Sequence, residues 1–172
     1  MEKIQVQEKM SREVVTIGWK EKMETAFQRM RSLRLRHFPV MNDTGEVIGM
    51  LSDRDVQRAM ISNVERDMGR ITSDETIQFD SDSLVRDYMS WPVKAVDHRM
   101  ELRAVVERML VDKVSSLLVK KGECPVGIIT TDDLMRVLID ILSEPKGSVQ
   151  WNLEQVMEVV PGLSWERLNM AI

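Results

Sequence analysis

The sequence repeats itself. Displaced by 79 residues, Met10 falls on Met89, Ser11 on Ser90, Val14 on Val93, Arg29 on Arg108, Met30 on Met109 and Val40 on Val119. After a one-residue length change in a loop the displacement becomes 78, and Ile48 meets Val126, Gly49 meets Gly127, Ser52 meets Thr130 and Asp55 meets Asp133. A repeat constrains the fold more than any single motif, because each copy must bury its apolar face against the other. One copy of about 60 residues is marginal alone, so the two are expected to pack together.

Each copy has the same local pattern. A short helical lead-in ends at Met10-Ser11 or Met89-Ser90, and a brief strand follows at Val14–Ile17 or Val93–Val96. An amphipathic helix comes next. Its apolar face is Ala26, Phe27, Met30 and Leu33 in the first copy, and Leu102, Val105, Val106, Met109 and Leu110 in the second, at helical spacing. Two β-rich runs then pair across the turns "NDTGE" and "KGEC", and a closing helix starts at Asp53 or Asp132. The expected fold class is α+β: two repeated β-α-β-β-α units packed sheet to sheet, plus a C-terminal helical extension. The first unit covers residues 1–62 and the second 83–142. Between them, 63–82 reads as an acidic, exposed linker with six acidic residues against two arginines, and 143–172 is the helical tail.

Both copies turn the same corner, "GMLSDRDV" at Gly49–Val56 and "GIITTDDL" at Gly127–Leu134. Ser52 with Asp55, and Thr130 with Asp133, fit S/T-x-x-D at a helix start. There the hydroxyl caps the first turn and the acid sits near the positive helix end. A helix N-terminus that follows a strand is also a ready anion site. The corner is therefore open to two readings, a cap built twice or a ligand site built twice.

The runs "MSREVVTI", "RLRHFPVMNDTGEVIGMLSDRDV", "MSWPVKAV" and "KVSSLLVKKGECPVGIITTDDL" resemble a tandem pair of cystathionine-β-synthase-type (CBS) domains, a Bateman module, over roughly Ile4–Leu142. The resemblance implies an adenine nucleotide cleft at each corner. Asp55 and Asp133 would take the ribose hydroxyls, since a carboxylate can accept from both hydroxyls of a cis-diol. Ser52 and Thr130 would lie by the phosphates. The early strands, with Thr16 and Val93, would flank the adenine. Thr16 matches the family's usual hydroxyl, whereas Ala95 departs from it. Arg36 and His37 would serve the Asp133 cleft with positive charge, while their counterparts Ser115 and Ser116 offer hydroxyls only. Arg54 compensates in the Asp55 cleft, and its counterpart Asp132 should repel phosphate. Thr16 and Arg54 thus favour the Asp55 cleft, and Arg36 and His37 argue for the Asp133 cleft.

The rest of the sequence narrows the function classes. A net charge of −4 argues against a nucleic-acid surface. No apolar run approaches the roughly 20 residues needed to cross a bilayer, and the first residues carry no signal-peptide core. The single cysteine, Cys124, fits a reducing compartment, so a cytoplasmic protein is expected. Walker, G-x-G-x-x-G, G-x-S-x-G and H-E-x-x-H motifs do not occur, and His37 and His98 are not at ligand spacing for a metal. No enzyme chemistry is expected and no obligatory cofactor. The ligand that the resemblance implies is an adenosine compound of the AMP, ADP or ATP type, and the corner acids would hold Mg²⁺ only through its phosphates. The 14 methionines suit an adaptable core. The resemblance further implies a homodimer. The tail carries Leu153, Val156, Met157 and Val160 on one face, with Trp151 and Trp165 as anchors. It reads either as a cap on the module or as a docking helix for a protein partner. The rival readings are a scaffold with empty clefts and an accessory subunit of a separate enzyme.

Overall fold

The structure is a computed structural model, and it describes residues 3–67, 79–80 and 82–143, with the side chains of 61–67 left aside. Most of the 63–82 linker and the tail from Glu144 onward, with Trp151 and Trp165, lie outside the described residues. Contacts divide the chain into Met1–Leu138, which holds both sheets, and Ile139–Ile172, of which only a helix end is described.

Two three-stranded sheets carry the fold. In the first copy β1 (Ile17–Gly18), α1 (Met23–Leu33), β2 (His37–Met41), β3 (Val47–Ser52) and α2 (Asp53–Asp67) follow in order. The second copy repeats them, after a short helix α3 (Val85–Tyr88), as β4 (Ala95–Asp97), α4 (Leu102–Asp112), β5 (Ser116–Lys121), β6 (Cys124–Thr130) and α5 (Thr131–Ser143). In each sheet the first strand runs parallel to the second, which its helix crossover requires, and the second pairs antiparallel with the third through a hairpin. α2 extends to Asp67, so the first residues of the expected linker are helical. The early strands start later than the apolar runs suggest, at Ile17 and Ala95, and α5 starts at Thr131 rather than Asp132.

Alternation along the strands divides the apolar side chains between two layers. Phe38, Val40 and Leu51 pack under α1 and α2 against Met23, Ala26, Met30, Val56 and Ala59. Leu117, Val119 and Ile129 pack under α4 and α5 against Leu102, Val105, Met109 and Val137. The opposite sheet faces present Pro39 and Met50, and Leu118 and Ile128, which are buried outside those two clusters. His37 Nε2 lies 2.8 Å from Ser115 Oγ across this second layer. The sheets therefore pack face to face.

Two residues of the expected helix faces are exposed. Leu33 is 48% exposed at the C-terminus of α1, and Leu110 is 72% exposed on α4. Periodicity assigned them inward, but the helices bury narrower stripes than their apolar sequences cover.

The lead-ins are exchanged between the copies. Val6, from the start of the chain, is fully buried in the second copy's core, and Val85 is fully buried in the first copy's core. Burying a valine contributes about 1.5–3 kcal/mol, so the exchange ties the two copies together. Reciprocal backbone hydrogen bonds of 2.9 Å join Ser11 to Ile128, and bonds of 2.9–3.0 Å join Ser90 to Met50. Each lead-in thus adds to the edge of the other copy's sheet.

Candidate ligand clefts

The repeated corner is a helix cap in both copies. Ser52 N–H and Ser52 Oγ donate to Asp55 Oδ2 at 2.8 and 2.7 Å, and Thr130 N–H and Oγ1 donate to Asp133 Oδ2 at the same distances. Each hydroxyl in turn lies 3.4 Å from the backbone N–H of its aspartate. The capping arrangement consumes only one oxygen of each carboxylate. Asp55 Oδ1 meets Arg58 Nη2 at 3.0 Å, and Asp133 Oδ1 meets Arg136 Nη1 at 3.3 Å and Ser11 Oγ at 3.5 Å. Both aspartates are only 6% exposed, yet each lines a cavity.

The exchange of lead-ins builds those cavities. One of about 420 Å³ brings Ser11, Glu13 and Val15 and the α1–β2 segment against Thr130, Asp132, Asp133 and Arg136. The other, about 450 Å³, brings Ser90, Pro92, Lys94 and the α4–β5 segment against Ser52, Arg54, Asp55 and Arg58. Both volumes suit a small-molecule ligand. Arg34 and Lys113, the residues closing α1 and α4, occupy equivalent left-handed conformations, with φ of 54° and 52°, and each lines one cavity.

A CBS domain model matches residues 4–62 and 85–140, two segments that take in both sheets and both corners. The chain belongs to the CBS domain family. The CBS pair is similar to a Vibrio cholerae protein assigned to acetoin utilization (AcuB), at 25% identity and a TM-score of 0.68, over 83% of this chain and 96% of that one. It is also similar to the CBS domain pair of protein MJ0100, solved with 5′-methylthioadenosine and S-adenosyl-L-methionine (17% identity, TM-score 0.63, 78% and 99% covered). CBSX2, solved with AMP, is a further neighbour (17% identity, TM-score 0.61, 80% and 98% covered). At 17% identity the last two likenesses are of fold.

Within the CBS pair, Ser52, Arg54 and Asp55 line one cavity, and Thr130 and Asp133 line the other together with Arg36. His37 lines both. Arg36 lines the Asp133 cavity with its guanidinium already paired to Asp132. Thr16 and Val93 line neither cavity. Glu13 and Val15, and Pro92 and Lys94, do so instead. In an extended segment neighbouring side chains alternate sides, so Thr16 and Val93 stand one residue out of register with the side chains that line the cavities. Thr16's neighbours also belong to the Asp133 cavity, not to the Asp55 cavity that Thr16 was expected to favour. The same one-residue correction exposes what the sequence reading missed. Lys94 stands opposite Val15 in the repeat, Lys113 opposite Arg34, and Arg58 opposite Arg136, all visible once the two copies are aligned. Trp91, 71% exposed, lines the Asp55 cavity as well. Among the described residues, no three His, Cys, Asp or Glu side chains gather to hold a metal, and no helix is long and apolar enough to cross a membrane.

His37 gives this centre a pH signature. Burial lowers its imidazole below the ordinary 6.5, Asp53 opposes that shift and Arg36 adds to it. A histidine held neutral in the fold but free to protonate when unfolded contributes stability above pH 6.5, and that contribution is lost as pH falls through its lower folded value. Melting temperature is expected to drop between pH 7 and pH 5, and His37→Gln should make the drop shallower. Equal slopes for the two proteins would show that His37 does not carry the effect.

Proposed function

We propose that this CBS pair is a non-catalytic, cytoplasmic sensor that binds adenosine-containing nucleotides of the AMP, ADP or ATP type in the two cavities between its copies. The observation that supports this most is the division of each corner carboxylate. Oδ2 completes the helix cap, while Oδ1 meets an arginine that lines the same cavity. A cis-diol can displace that arginine and donate charge-assisted hydrogen bonds to the same oxygen. The cap and ligand readings of the corner are thus compatible. Cations beside each aspartate suit phosphates, with Mg²⁺ recruited only through a bound nucleotide. The bound AMP of CBSX2 and the adenosyl ligands of MJ0100 support the choice of ligand class. The exposed, unpaired Cys124 fits a reducing compartment.

A ligand at about 100 times its Kd adds roughly 2.7 kcal/mol if only the folded state binds. For a chain of this size the melting temperature is expected to rise by about 5–10 °C in a panel of adenosine, AMP, ADP, ATP and S-adenosylmethionine. A panel without any shift would favour a scaffold whose corners serve as caps alone.

Signal output in this proposal runs through a homodimer or a protein partner. Leu110 and Val111 on α4, and Met135 and Leu138 on α5, are 46–78% exposed and supply apolar surface for it. Sedimentation at tens of micromolar is expected to give twice the 19.9 kDa chain mass. A monomer at that concentration would remove the homodimer from the proposal. The tail from 143 to 172 is the candidate for partner docking.

A further inference from the structure

We infer that the two cavities are specialised by charge: the Asp55 cavity for a nucleoside polyphosphate, and the Asp133 cavity for an adenosine compound with one phosphate or none. The inference rests on the adenosine reading above and asks what distinguishes two sites whose ribose corners are the same to within 0.1 Å in their cap bonds.

The difference lies at the anion end. Arg54, Arg58, Lys94 and Lys113 line the Asp55 cavity, and among the described residues Asp55 is its only carboxylate, so four positive charges face one negative. Arg34, Arg36 and Arg136 line the Asp133 cavity against Glu13, Asp132 and Asp133, three against three. His37, common to both, is buried with its pKa lowered and adds little charge near neutrality.

Existing commitments widen the gap. In the Asp133 cavity Arg36 is held by Asp132, and Arg136 by Asp133. In the Asp55 cavity Arg58 is held by Asp55, and Lys94 lies 3.7 Å from Asp112 Oδ2. Among the described residues no ion pair engages Arg54 or Lys113, so both can meet phosphate without breaking one. Arg54 and Asp132 occupy the same place in the first turn of α2 and α5, where the positive helix end already favours an anion. An arginine there adds to that field, and an aspartate cancels it. A di- or triphosphate, whose terminal group alone carries about two negative charges, needs the first environment and is repelled by the second.

The test is calorimetry on the full chain with adenosine, ATP and inorganic tripolyphosphate, for the parent and for Arg54→Gln combined with Lys113→Gln. ATP is expected to bind the parent more tightly than adenosine. The double variant should lose at least about tenfold more affinity for ATP and tripolyphosphate than for adenosine, a gap that narrows at high salt. Arg54→Lys, which keeps the charge, should restore much of the ATP affinity in the Lys113→Gln background and so rule out misfolding as the cause. Asp132→Asn should strengthen ATP binding at the other cavity several-fold. Equal losses for ATP and adenosine in the double variant, or an ATP site removed by Asp133→Ala and not by Asp55→Ala, would overturn the charge assignment and leave the adenosine reading intact. Tripolyphosphate binding through Arg54 and Lys113 with no contribution from adenosine would do the reverse. Binding of neither would end both.

Discussion

Gly127→Ala is expected to lower the melting temperature of the unliganded protein by about 4–10 °C, and Gly49→Ala by a similar amount. A Cβ on Gly127 would sit 2.9 Å from the backbone oxygen of Ser11 and against the Met10 thioether. On Gly49 it would sit 2.8 Å from the backbone oxygen of Ser90 and the same distance from Met89 Sδ. The thioethers can swing away, but the carbonyls cannot, because each accepts a hydrogen bond from the strand beside it. The lead-in must therefore shift, taking with it Val6 or Val85 from a core where neither is exposed. Overpacking of this kind costs roughly 1–3 kcal/mol, and for a chain of this length each kcal/mol is about 2–4 °C. Gly45→Ala is the control. Gly45 has a φ of +82° but open space around it, so it should show only the backbone cost of about 1–2 kcal/mol. If Gly127→Ala and Gly49→Ala melt no lower than Gly45→Ala, the close approach of the lead-ins is not what joins the copies. Because Ser11 and Ser90 also line the cavities, both glycine variants should weaken ligand binding along with stability.

Replacing the corner aspartates is expected to act on stability and on binding by separate routes. Asp55→Ala and Asp133→Ala remove the acceptor of two cap bonds each, and should cost about 1–2 kcal/mol of unliganded stability. Both should also lose the charge-assisted bonds to ribose, about 1.5–3 kcal/mol, or roughly ten- to 150-fold in Kd. Asp55→Asn separates the two effects. Its amide oxygen can stay on Ser52 while an NH₂ group replaces Oδ1, so most of the cap survives and the ribose clamp does not. Calorimetry and thermal melts on the same preparations provide the two readouts. A variant set that loses stability but binds every adenosine compound as the parent does would reduce the corner to a cap.

The corner also shows how far the sequence can be read. Ser52-x-x-Asp55 and Thr130-x-x-Asp133 specify their caps locally, because N-cap and N3 are three residues apart in any helix. The side chains that meet are therefore named by spacing alone. Hairpins, helices and the α+β class are legible for the same reason: turn residues and apolar periods act over a few positions. Local periodicity did not determine which apolar residues stay outside. Leu33 and Leu110 fit the helical stripe, yet both are exposed.

The cavities, by contrast, are products of tertiary structure. Which lead-in reaches which corner depends on the exchange of Val6 and Val85 between cores, and no local pattern encodes partners so distant along the chain, as Val6 is from Val137 or Val85 from Ile17. The side of an irregular extended segment that faces a ligand depends on register. Lys94, and not its neighbour Val93, lines the Asp55 cavity for that reason, as Val15 and not Thr16 lines the other. The fold sets Arg36 beside Asp132, a pairing between the two copies that no local pattern specifies. Two copies of one unit, each ending in a capped carboxylate, follow from residue order alone, since those features rest on contacts within a turn or two. Only the tertiary structure decided which charges surround each carboxylate, because those charges converge from both copies once the sheets have packed.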